Sequence, residues 1–173
     1  MTIKYIFFDW GNTLGTKGAR KNNMWRTNRN IEELRKFYLK PGTLEILHYL
    51  KGKNYILGII TNSSLNTFEN MLFLESLGLL PYFSYVISSS DKGICRKDCP
   101  EIFRMALNYF RAKPNEAVYV GDNYKKDIIG SKKVGMKSIY VSNSRHPYFL
   151  VSPKNKAIED GKIKEIIELT KFL

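Results

Sequence analysis

Acidic side chains are scarce in this sequence: 16 Asp and Glu stand against 28 Lys and Arg, a formal net charge of +12 over 173 residues. That balance favours anionic partners such as phosphate esters, nucleotides or nucleic acid. Cysteine is nearly absent. Cys95 and Cys99 form a C-x3-C pair with no further Cys or His nearby, a poor zinc signature. Pro100 argues against one helix spanning both, so they read as ordinary reduced thiols. No apolar run approaches the ~20 residues that span a bilayer. The N-terminus lacks a small-residue cleavage site, and the expectation is a soluble, cytoplasmic protein without membrane contact. No repeat, linker or low-complexity tract divides the chain, and its length suits one domain, 1–173. A hydrophobic content of 43% excludes disorder.

One absence is local. The apolar run Tyr5-Ile6-Phe7-Phe8 leads straight into Asp9 and a Gly/Asn/Thr turn, so a buried strand presents a carboxylate at its tip. Two residues on, where a second acid would complete a paired-carboxylate site, stands Gly11.

Hydrophobic patterning alternates between strands and helices. Strands are expected at Ile3–Phe8, Tyr55–Ile60, Tyr85–Ser88, Ala117–Val120 and Lys137–Val141. Helices are expected from Asn30 to Leu39, Thr43 to Lys51, about Ser64 to Leu77, Pro100 to Phe110, Lys125 to Val134 and Ile158 to Phe172. Residues 15–29 read as irregular and polar. This rhythm predicts a three-layer, Rossmann-like α/β fold with a mainly parallel five-stranded sheet. In such sheets ligands sit at the carboxyl ends of strands, and Asp9, Thr61 and Asp122 each fall at such an end.

Four elements then line up. Asp9 follows the first strand. Thr61-Asn62 offers a hydroxyl and backbone N–H groups to a phosphate-sized anion. Lys97 precedes the Pro100 helix, and Gly121-Asp122-Asn123-Tyr124-Lys125-Lys126-Asp127 carries two carboxylates five residues apart. Three acids around one point repel one another, and a hard divalent cation resolves this. Mg²⁺ prefers few carboxylates together with water and a phosphate oxygen. A free carboxylate can then attack phosphorus while Mg²⁺ and Lys97 neutralise its oxygens.

In this order, Asp-x-x-x-Thr, Thr-Asn, Lys before x-x-Pro-x-Ile-Phe, and Gly-Asp-x-x-x-x-Asp, the residues resemble the haloacid dehalogenase superfamily from about residue 3 to 141, and its phosphatase-like branch most of all. The resemblance implies Asp9 as nucleophile and metal ligand, and Gly11 as a carbonyl ligand. Thr61, Asn62 and Lys97 would hold the phosphoryl group, with Asp122 and Asp127 as further Mg²⁺ ligands. Family phosphatases usually carry aspartate where Gly11 stands, and that acid protonates the leaving group. Its loss should slow alkyl phosphates more than acyl or aryl phosphates. Only Gly15 to Lys40 occupies the place of a helical cap, so 15–40 is expected to be a reduced cap or flap over an open site. Such a site suits large or extended phosphorylated substrates.

A dehalogenase would leave Asp122 and Asp127 without a use. A phosphonate-cleaving relative needs a cap lysine, for which Lys17 and Lys21 are the available residues. The alternative from another class is a catalytically weak or inactive fold that binds anionic ligands or nucleic acid. Gly11 and the basic run Lys17, Arg20, Lys21, Arg26, Arg29, Arg35, Lys36 and Lys40 motivate it. His48 and His146 read as non-catalytic, and Trp10 as either pocket wall or packing.

Overall fold

The computed structural model describes residues 2–16, 22–142 and 158–173. Strand β1 (Tyr5–Phe8) is uninterrupted apolar sequence, as a strand covered on both faces requires. Helix α1 is a single turn, Met24–Thr27. Helix α2 (Ile31–Tyr38) is capped by the Asn30 side chain, which accepts from the Glu33 amide at 3.2 Å. Helix α3 (Thr43–Gly52) follows Gly42, whose φ of 78° turns the chain where an L side chain would be strained. Strand β2 (Ile56–Thr61) leads to α4 (Thr67–Ser76), which opens on a reciprocal Asn66–Glu69 capping box. Then come β3 (Phe83–Ser88), α5 (Glu101–Tyr109), β4 (Ala117–Gly121), a π-helical turn Tyr124–Ile128, α6 (Ile129–Lys132) and β5 (Lys137–Val141). Strand β6 (Gly161–Ile163) and a 3₁₀ segment, Ile166–Phe172, end the chain.

The strands form one parallel sheet in the order β3-β2-β1-β4-β5-β6. The connections run outward from β1 to β3 and then cross to β4 on its other side, which makes the ends of β1, β2 and β4 a topological switch point. Register brings those ends level, because Phe8 pairs with both Ile59 and Val120. Phe8, Trp10, Leu47 and Phe73 pack in the apolar layer on one face, and Phe7, Ile102, Phe103 and Tyr119 in the layer on the other. Successive β1 side chains thus feed opposite layers. Among the described residues no helix is long and apolar enough to cross a membrane.

The α/β class and parallel sheet match the expectation, but the described residues form six strands, not five. The extra strand comes from the segment expected to be a closing helix over 158–172. Gly161, Lys162 and Ile163 pair with Ile139, Tyr140 and Val141, and the Ser138 amide is tied to Asp160 Oδ2 at 2.7 Å. A Cβ on Gly161 would lie 2.4 Å from the Phe172 ring, so this strand needs glycine where the 3₁₀ segment folds over it.

Two further differences concern helices. Residues 15–29 contain the unforeseen α1 turn, which Trp25 anchors against the Phe73 ring at 5.5 Å. The helix expected over Lys125–Val134 is instead the π turn followed by four α-helical residues. The Cys95 and Cys99 sulfurs, expected as thiols, are joined in a disulfide, because the turn that bonds the Cys99 amide to Arg96 O at 2.8 Å brings their Cα atoms to 6.0 Å. Lys17, Arg20, Lys21 and His146 lie outside the described residues.

Candidate active site

A cleft of about 240 Å³ opens at the switch point, lined by Asp9, Gly11, Asn12, Thr61, Asn62, Lys97, Asp122, Asn123, Lys126 and Asp127. Every residue nominated from sequence for the site therefore lies in one place. Asp9, Asp122 and Asp127 are buried and offer carboxylate oxygens within 4.8 Å of one another.

Local structure sets each side chain. The Asp9 amide donates to Val120 O at 2.9 Å, which continues the β1–β4 ladder one residue past the strand and fixes the carboxylate at its tip. The π turn carries Asp127 inward. Its Oδ2 accepts from the Asn123 amide at 2.8 Å, and Ser131 Oγ donates to its carbonyl at 2.6 Å. Asn12, in the left-handed region at φ 60°, donates from Nδ2 to Asp122 Oδ2 at 3.0 Å.

Lys97 is buried to 3% exposure and ion-paired with Asp9 and with Asp127, the latter at 2.6 Å. Its Nζ also donates to Tyr119 OH at 3.0 Å, and that hydroxyl donates to Ile60 O at 2.8 Å. The Lys97 amide donates to Asn62 Oδ1 at 3.1 Å, so the second and third motifs hold each other. Asn62 Nδ2 is buried without a hydrogen-bond partner, a donor left for an incoming acceptor.

The electrostatics follow from burial. Burial works to lower the Lys97 pKa, but the charges of Asp127 and Asp9 outweigh it and leave Lys97 above its usual range. Burial pushes the Asp127 carboxyl up to about 7, against the pull of Lys97 and with the help of Asp9. Two lysines, Lys97 and Lys126, against three carboxylates leave an excess of negative charge, and the candidate metal donors are all oxygen. That set fits a hard divalent cation and not the nitrogen and sulfur ligands zinc favours.

Sequence reasoning did not single out Tyr119, Asn12 or Lys126. Tyr119 sits inside an apolar strand, where its hydroxyl was the available signal. Trp10 turns away from the cleft: it is buried edge-on against Phe73 at 5.1 Å, and Gly15 makes room for its ring. His48 lies at the surface, where it meets the Tyr82 ring and hydroxyl, away from the cleft. None of the described residues of 15–40 lines the cleft. Trp25 packs inward, and Arg26 is engaged with Glu69 at 3.1 Å.

This geometry has a counterpart among known proteins. The profile of the haloacid dehalogenase-like hydrolases matches residues 3–141, the span that holds all four motifs. The chain belongs to this family. Within it, the sequence is 36% identical over 134 residues to a glyceraldehyde 3-phosphate phosphatase of Pyrococcus furiosus, covering 77% of this chain and 53% of that protein. It is 33% identical over 117 residues to a phosphoserine phosphatase of Thermus thermophilus, covering 68% of this chain and 46% of the other. The chain thus spans about half the length of these relatives. A crystal structure of a HAD phosphatase from Thermococcus onnurineus superposes with a TM-score of 0.75 at 23% identity, covering 98% of this chain and 97% of that one, a likeness of fold.

Proposed function

We propose that this family member is a Mg²⁺-dependent phosphohydrolase that acts through an aspartyl-phosphate on Asp9. The observation that carries the reading is the placement of Lys97 between Asp9 and Asp127, where Asp9, Asp122 and Asp127 converge. The two relatives bearing phosphatase names point the same way. Asp9, Asp122, Asp127 and the Gly11 carbonyl would hold the ion. Bound there, Mg²⁺ supplies charge neutralisation for the phosphoryl oxygens.

The chain's own residues do the rest. Lys97 and Asn62 Nδ2 bind phosphoryl oxygens, with the Thr61 hydroxyl beside them. A carboxylate oxygen of Asp9 attacks phosphorus, the new Asp9–phosphorus bond replaces the bond to the leaving oxygen, and that oxygen departs with the electron pair. Water then displaces Asp9 from phosphorus and releases inorganic phosphate. Gly11 has no proton to give, so acyl and aryl phosphates react faster than alkyl ones. Residues 15–40 act as a reduced cap, and the open cleft admits phosphorylated substrates that are large or extended.

The test is Mg²⁺-dependent turnover of aryl, acyl and alkyl phosphates by wild type and Asp9→Asn. Cleavage of the first two, abolished by Asp9→Asn, is the expected result. Activity surviving Asp9→Asn removes the nucleophile. Absence of activity on all three esters favours the anion-binding alternative.

A further inference from the structure

We propose that Cys95 and Cys99 form a reversible thiol–disulfide site that sets the placement of Lys97, so that the oxidation state of the pair governs turnover at the Asp9 centre. The two cysteines flank Lys97 symmetrically, two residues on either side, and their sulfurs are joined. Their Cα separation of 6.0 Å lies within the range that a disulfide spans without backbone movement, about 4.4–6.8 Å. The disulfide therefore closes a five-residue ring, 95–99, around the one lysine the cleft contains besides Lys126.

The ring matters locally. Stabilisation from closing a loop grows with loop length, so a ring this short adds little to the fold as a whole. Its effect falls on the backbone of residues 95–99, which belongs to no helix or strand. That backbone must deliver Lys97 Nζ to Asp9, Asp127 and Tyr119 at once. The noncovalent restraints on this backbone include the Lys97 amide on Asn62 Oδ1, the Cys99 amide on Arg96 O, Lys133 Nζ on the Asp98 carbonyl at 3.4 Å, Cys95 packed against the apolar layer, and the Lys97 carbonyl pressed against Gly130, where a Cβ would come within 2.4 Å. Opening the ring leaves these in place. The protein stays folded, but the lysine is held less tightly, and displacement of a catalytic group by about 1 Å costs on the order of 10²-fold in rate.

The pair is also within reach of reagents. Cys95 and Cys99 are partly exposed and Arg96 and Asp98 exposed, although Lys97 between them is buried. Closure by a low-molecular-weight disulfide balances as two exchanges. One cysteine thiolate attacks a sulfur of the small disulfide and expels one small thiolate. The second cysteine thiolate then attacks the protein sulfur of the mixed disulfide and expels the other. The protein gives up two electrons, the small disulfide accepts them, and both cysteine protons end on the two released thiols. A dithiol reverses the sequence.

Because it takes Lys97 to act on the phosphoryl group, the proposal rests on the phosphohydrolase reading, and its test has a readout independent of catalysis. Full-length protein is prepared oxidised, reduced with a dithiol, and re-oxidised, alongside Cys95→Ser/Cys99→Ser. Acylation of Lys97 by an amine-selective reagent is followed by mass spectrometry, and aryl phosphate turnover is measured in parallel. Lys97 should label several-fold faster on reduction, with turnover falling on the order of 10-fold. Re-oxidation should reverse both, and the double variant should behave as reduced in every condition. Equal Lys97 labelling in oxidised and reduced wild type overturns the proposal. If no ester is cleaved in any state, the phosphohydrolase reading fails while the labelling still decides this one.

Discussion

A Cβ placed on Gly121 would lie 2.5 Å from the Asp127 side chain. The last residue of β4 is thus glycine because a carboxylate from the following π turn folds back over it. Gly121→Ala should push Asp127 out of the site and leave Asp9 and Asp122 in place. Displacing a ligand's support typically costs 10–100-fold in metal affinity. Calorimetric titration with Mg²⁺ should show a loss of that order; unchanged affinity would remove Asp127 from the metal site.

Tyr119→Phe separates positioning from packing. The ring stays buried against Phe103, but Lys97 loses one acceptor and Ile60 O loses one donor. A hydrogen bond to a charged group contributes about 1.5–3 kcal/mol and a neutral one about 0.5–1.5 kcal/mol, so urea denaturation should show a loss on the order of 1–3 kcal/mol. Turnover should fall, and KM should change less than kcat.

The Asp127 carboxyl gives a pH signature. Its folded-state pKa of about 7 stands above the ordinary aspartate value of about 3.9 in the unfolded chain. Between roughly pH 4 and pH 7 the folded protein holds a proton that the unfolded chain has released, so this group's contribution to stability is complete below pH 4 and is lost as pH rises through 7. Metal-free wild type should lose stability across that window relative to Asp127→Asn. Mg²⁺ should raise Tm more at pH 8 than at pH 5. Parallel Tm-against-pH curves for the two proteins would contradict the assignment.

Position 11 has room for the missing acid. A Cβ on Gly11 would meet nothing closer than Asp9 Oδ2 at 3.9 Å. General acid help is worth about 10²–10⁴-fold. Gly11→Asp should therefore raise the ratio of alkyl to aryl phosphate turnover at least on the order of 10-fold. An unchanged ratio would mean that leaving-group protonation comes from elsewhere.

Much of this was legible in sequence because the sheet is parallel and buried. Unbroken apolar runs such as Tyr5–Phe8 mark its strands, and the ends of three of them supply Asp9, Thr61, Asn62 and Asp122 to the site. What escaped depended on tertiary partners. Strand β6 is three residues long and exists through β5, so the segment from Ile158 to Phe172 reads as a helix from its own sequence. Tyr119 looked like one more apolar strand residue, since only the fold brings Lys97 to its hydroxyl. The Cys95–Cys99 bond depends on the turn between them, which C-x3-C spacing does not specify.

The most direct measurement is covalent trapping. Wild type mixed with an aryl phosphate and Mg²⁺, acid-quenched during turnover and digested, should yield a phosphate adduct on the peptide that contains Asp9, absent from Asp9→Asn. Steady hydrolysis with no adduct on that peptide, and with Asp9→Asn still active, would contradict nucleophilic catalysis by Asp9.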